Sequence, residues 1–202
     1  MRMPVVACLT LFVVSGPWCT GSDHTIASDA DMLADSLLVG QWRGEGDTSG
    51  MLITIARAPS PGSRDYAVTV RLGDGRVTHD VLAVTRIGDA LFGDLYPAKS
   101  EEDASVWNTI AVHLILRAEQ SPDRIVVRYM DPTWLQQYLK AHPGAISTVE
   151  VGDWIVFTDS TAAVRAFLLK TLHEDSAYVS QSAAILRVHC KKGRPCPPPL
   201  RH

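Results

Sequence analysis

The sequence predicts a mainly β chain, folded as an antiparallel barrel or a strongly curved sheet with a C-terminal helix and one short extra helix. Three observations carry that expectation. Short runs rich in β-branched and aromatic residues follow one another from Leu38 to Phe157, separated by Gly, Pro, Asp and Ser turn signals. Within them apolar and polar residues alternate with the two-residue period of a half-buried strand. No long helical period separates most of the runs, which argues against a parallel βαβ sheet.

The first run is 39–46 and the second 51–58, with Ser60-Pro61-Gly62-Ser63 as the turn that follows. Run 66–72 places Tyr66, Val68, Val70 and Leu72 on one face, the one expected to be buried, and Gly73-Asp74-Gly75 closes a hairpin to 77–87. Gly88-Asp89 turns the chain into 90–96. Run 109–117 puts Ile110, Val112, Leu114 and Leu116 on the core face, and Ala111, His113, Ile115 and Arg117 on the wetter one. Ser121-Pro122-Asp123 leads into 125–130, and a further run, 148–157, carries Gly152-Asp153 in its middle and is therefore bulged or split. Asp131 as N-cap and Pro132 as first helical residue open a short helix, with Trp134, Leu135, Tyr138 and Leu139 as its apolar stripe and Pro143-Gly144 as its end. A second helix starts after Asp159-Ser160-Thr161 and buries Val164, Phe167, Leu168 and Leu172, and 183–188 is a closing strand.

Composition narrows the function. The chain has 202 residues, is 46% hydrophobic and 20% charged, and has a net charge of −3, so it is neither a disordered chain nor a basic nucleic-acid binder. No apolar run reaches the roughly 18–20 residues of a membrane-spanning helix. Residues 1–21 read as a signal peptide: Arg2 is the positive end, Val5 to Val14 the apolar stretch, and small residues follow. Two ends for that leader stand side by side. Ser15-Gly16-Pro17-Trp18-Cys19 looks like a lipoprotein box, with a lipid on Cys19 and attachment to a membrane, while cleavage near Gly21 releases a soluble exported protein. Residues 22–37 read as a polar tether, 38–189 as one domain, and 190–202 as a basic, Pro-rich tail in which Cys190 and Cys196 are spaced for a small-loop disulfide of an oxidising compartment. Periplasm or outer envelope is thus the expected location.

Leu38-Val39-Gly40-Gln41-Trp42 carries a Gly-x-Trp at the start of the first run. This resembles the opening of lipocalins and other calycin barrels. The glycine lets the chain turn close against the barrel end, and the tryptophan plugs it. The run GQWRGEG from Gly40 to Gly46 also looks like the start of the nitrobindin family of haem-binding barrels, which hold iron through a histidine; His113 and His189 stand on predicted strands but in no stretch that matches that family, so no cofactor is expected. The wider pattern resembles bacterial exported lipoproteins without an established activity, through Gly-x-Trp-x-Gly-Glu, the strand with His113, Asp131-Pro132-Thr133-Trp134-Leu135 and Thr158-x-Ser160-Thr161. That resemblance implies a compartment and a fold, and no reaction.

Catalytic chemistry has little local support. Asp74, Asp80, Asp89 and Asp94 are candidate paired carboxylates, but three of them neighbour glycine, as turn residues do. Ser147, Ser160 and Ser180 lack a nucleophile-elbow setting, and the histidines show no metal-ligand spacing. The expected function is non-catalytic: a small apolar or amphipathic ligand held in the barrel, touched by Trp42, Trp107 and His113. The alternative is a structural or interaction module of the envelope with a filled interior. Arg43 and Glu45 are expected to pair across the barrel mouth. Ligand identity and oligomeric state have no signature in the sequence.

Overall fold

The computed structural model describes residues 19–28, 30–60, 62–98, 112–152, 154–179 and 183–189. Residues 1–18, Trp107, and the tail with Cys190 and Cys196 lie outside these. The chain order is β1 (Cys19–Ser22), β2 (Gly40–Gly44), β3 (Leu52–Arg57), β4 (Tyr66–Arg71), β5 (Val77–Ile87), β6 (Ala90–Pro97), β7 (His113–Ser121), β8 (Arg124–Tyr129), α1 (Pro132–Ala141), β9 (Thr148–Val151), β10 (Trp154–Phe157), α2 (Thr161–Lys170) and β11 (Ala183–Arg187). From β2 to β8 each strand pairs with the next, and β11 pairs with both β8 and β2. Every one of these pairings is antiparallel, so eight strands close a lipocalin-like barrel with no free edge.

The register is even all the way round. Trp42 lies opposite Ile53, Ile53 opposite Val70, Leu82 opposite Leu95, Leu95 opposite Leu114, and Ile125 opposite Ile185. Paired residues share a face, so the alternation seen in the sequence carries one aliphatic set inward around the whole circumference. Ile53, Val70 and Val84 in that set are at most 3% exposed.

Three sequence expectations are corrected. First, 148–157 is not a barrel strand. It splits at Gly152, whose φ of 58° suits a glycine turn, into β9 and β10, and β11 takes the eighth place in the barrel. β10 pairs parallel with β1, and β1 pairs antiparallel with the start of β7, so a short second sheet grows from the barrel wall. Second, 22–37 is not a tether. Ile26 is fully buried, and its neighbours are held by hydrogen bonds: Thr25 Oγ1 donates to Asp94 at 2.6 Å, the Ile26 N–H to the same oxygen at 2.9 Å, and Thr161 Oγ1 to the Thr25 carbonyl at 2.6 Å. Third, the outer face of β7 is not wet. Ile115, Phe92 and Ile87 form a second core there with Phe157 of β10, Leu135 of α1 and Val164, Phe167 and Leu168 of α2.

Both helices begin where the sequence says. Asp131 Oδ1 accepts from the Thr133 and Trp134 N–H groups at 2.8 and 3.1 Å, with Pro132 in the first position that needs no N–H. Ser160 Oγ caps α2 through the Ala163 N–H. Among the described residues no helix is long and apolar enough to cross a membrane.

Candidate functional site

The inward aliphatic set does not fill the barrel. It leaves a cavity of about 100 Å³ whose wall is apolar throughout and is built from every barrel strand except β2. Val68, Leu82, Val84, Leu95, Leu114 and Leu116 form much of it. Two small residues open the space: Gly93 stands between Val84 and Leu116 in the ladder, and Ala118 opposes Leu91. Engineered apolar cavities of about 150 Å³ stay dry and take benzene or xenon, so a space of this size and lining suits a small apolar body and offers water no partner.

One end of the barrel is closed. The Ser36–Leu38 turn crosses it, with Leu38 lining the cavity, and Trp42 lies fully buried beside it and donates its Nε1–H to the Leu38 carbonyl at 2.9 Å. From β11, Arg187 lies 4.3 Å from the Trp42 ring and donates to the carbonyls of Leu37, Val39 (2.9 Å) and Pro122 (2.6 Å). Gly40 makes room for that guanidinium, because a Cβ there would stand 2.5 Å from Arg187 Nη1. Tyr66, also fully buried, ties the same end: its hydroxyl donates to the Asp35 carbonyl at 2.8 Å and accepts from Arg57 at 3.1 Å, and burial raises its pKa above the usual tyrosine value. Outside this cap a polar hollow of about 480 Å³ lies between Leu33, Asp35 and Leu37 and the β5–β6 hairpin, and it shares Leu91 and Ala118 with the cavity wall.

Among the described residues the interior carries one buried carboxylate away from the closed end. Asp80 is on β5, in register with Val68 on β4 and Pro97 on β6, so it shares the inward face with Leu82 and Val84. It is only 8% exposed, and among the described residues its Oδ2 has no hydrogen-bond partner. Burial pushes its pKa up to about 6, opposed only by the Thr78 side-chain hydrogen bond.

The site residues expected from the sequence fall in different places. Trp42 belongs to the closed end and is not part of the cavity wall. His113 sits on the opposite face of β7 from Leu114, outside the barrel, with Nδ1 2.7 Å from Oδ1 of the fully buried Asp94 and its ring 4.6 Å from that of Tyr96. Burial raises the Tyr96 phenol to about 12, with help from the nearby charges of Asp65 and Asp94. Asp94 thus joins His113, Thr25 and Ile26, and its role is to pin the 22–37 segment to the barrel. Trp107 lies outside the described residues. Cys19 opens β1 in register with Trp154. Glu45 pairs with Arg124 at 3.0 Å, not with Arg43, because Gly44 faces Ile185 and brings β2 beside the end of β11 and the start of β8. Among the described residues no three His, Cys, Asp or Glu side chains gather as a metal group.

Sequence reading missed Arg187 and the inward place of Asp80. Arg187 had no local signal, since its partners are backbone carbonyls far along the chain. Asp80 had one: it occupies the same parity as Leu82 and Val84 inside an unbroken strand, where a solvated turn carboxylate has no reason to be. No protein-family model, curated protein or solved structure matches the chain.

Proposed function

We propose that the protein is a non-catalytic binding domain that holds one small apolar or amphipathic ligand inside its barrel, and that it works in an exported or envelope setting. The observation that carries the reading is the cavity of about 100 Å³ with a wholly apolar wall in a barrel whose other inward side chains are well buried. An unfilled space costs stability, on the order of 24 cal/mol per Å³ in core-deletion series, so a barrel with no ligand to hold gains from filling it. The leader read from Arg2, Val5–Val14 and the residues before Cys19 supports export. Attachment through a lipid on Cys19 is compatible with the pairing of Cys19 with Trp154, because cleavage before Cys19 keeps that pairing.

The alternative, an envelope module with function on its surface, draws on the same cavity, which is smaller than the roughly 300–1,000 Å³ of drug-sized pockets. Methyl NMR separates the two. Toluene added to protein labelled at Ile, Leu and Val methyls is expected to give saturable shifts confined to residues such as Val84, Leu95 and Leu116. Ala118→Leu, which fills the space, is expected to abolish them. Unchanged spectra up to the solubility of toluene would leave the surface module as the better reading.

A further inference from the structure

We propose that Asp80 is the recognition group of the barrel interior, and that the ligand is a small amphiphile with an amine at its polar end. The inference rests on the reading of the barrel as a binding site and names the chemistry of its occupant. The geometry is set by the ladder. Asp80 lies opposite Val68 and two residues before Leu82, and both of those line the cavity. Asp80 is the next inward position of β5 beyond the cavity wall, and two residues of strand span about 7 Å, so the end group of a short alkyl chain resting on Leu82, Leu95 and Leu114 comes within reach of its carboxylate.

The carboxylate is built to receive a cation. Only 8% of its surface is exposed. Its Oδ2 has no hydrogen-bond partner among the described residues. Its register neighbours, Val68 and Pro97, bring no charge, and among the described residues no cationic side chain contributes to its shifted ionisation. A buried carboxylate is normally paired, and an unpaired one costs free energy that a ligand ammonium would recover through charge-assisted hydrogen bonds. A neutral hydroxyl answers the same oxygen less strongly, and an anionic head is repelled. The other buried carboxylate, Asp94, shows the contrast: outside the barrel it is fully engaged by Thr25, Ile26 and His113, and has nothing left to offer a ligand.

Calorimetry at pH 7.5 with n-hexylamine, n-hexanol and n-hexanoate tests this on the full chain. Hexylamine is expected to bind about 10–100-fold more tightly than hexanol, the range for a hydrogen bond between charged groups, with hexanoate weakest. Asp80→Asn is expected to remove the advantage of the amine and to keep hexanol binding, which also reports that the variant is folded. In the unaltered protein the Asp80 carboxyl ¹³C resonance is expected to move on saturation with hexylamine and to stay in place with hexanol, a readout independent of any variant. If hexanol binds but hexylamine gains nothing, or its gain survives Asp80→Asn, the assignment of Asp80 is overturned while the cavity reading stands. If none of the three binds, both fall.

Discussion

At the scale of single residues, the two carboxylates buried among the described residues are treated in opposite ways. Asp94 is saturated with donors and serves as a clamp, whereas Asp80 keeps a bare oxygen in an apolar surround. The second arrangement has a cost with a definite pH dependence. The folded pKa of Asp80 is raised from 3.8 to about 6, so between those values the folded chain holds the proton more tightly than the unfolded one. Stability attributable to this group therefore falls as pH rises from about 4 to about 6, and the penalty is fully present above that. Asp80→Asn removes an ionisable group of the same shape. It is expected to stabilise the protein at pH 7.5, by on the order of 1–3 kcal/mol, and to leave stability at pH 4 nearly unchanged. Urea denaturation at the two pH values reads this directly. A variant that is equally or less stable at pH 7.5 would mean the carboxylate is not paying a burial penalty. A residue that weakens its own fold in this manner is the kind expected where a site is kept ready for a ligand.

At the scale of elements, β1 is small but holds two sheets together. Its four residues pair with β10, Gly21 and Ser22 pair also with the start of β7, Thr20, Gly21 and Ser22 are buried, and Thr20 Oγ1 donates to the Met130 carbonyl at 3.1 Å. A chain begun at Cys19 keeps all of this, and one begun at Asp23 loses it. At about 1 kcal/mol for each of a handful of ladder hydrogen bonds, and about 2–4 °C per kcal/mol for a chain of this size, the shorter form is expected to melt roughly 8–16 °C lower. Equal melting temperatures for the two would show that β1 is an ornament of the fold. The same element marks the limit of what the sequence made legible. A strand such as Tyr66–Arg71 was readable because its inward residues Tyr66, Val68 and Val70 recur at a two-residue period. The two helices were readable from Asp131-Pro132 and Ser160, whose caps are local. β1 was not, because Cys-Thr-Gly-Ser has no apolar period and owes its place to backbone pairing with residues more than ninety positions away. Residues 22–37 were opaque for the same reason: Asp94 holds Thr25 and Ile26 through hydrogen bonds that no periodicity announces. The closed end was half legible, with Trp42 visible in its motif and Arg187 invisible.

At the scale of the whole molecule, two cores share one wall. The barrel core lies inside β7 through Leu114 and Leu116, and the outer core lies on its other face through Ile115, where both helices and β10 pack. β7 is also the strand with three partners, β6, β8 and β1. Melting either core therefore exposes one face of β7, and its amides open only when both are lost. β9 stands at the other extreme: it pairs with β10 alone, it is four residues long, and Val149 and Val151 are left exposed. Local opening free energies follow burial and pairing of this kind. Native-state hydrogen exchange is expected to rank the amides of Ile115 and Leu116 among the slowest, close to the free energy of global unfolding, and those of β9 several kcal/mol below them. Denaturant should lower the protection of β7 with the full slope of global unfolding and that of β9 with a much smaller one, because opening the edge strand uncovers little surface. Equal protection and equal slopes in the two strands would mean that barrel and outer layer unfold as one unit, and that sharing β7 does not grade the stability of the fold.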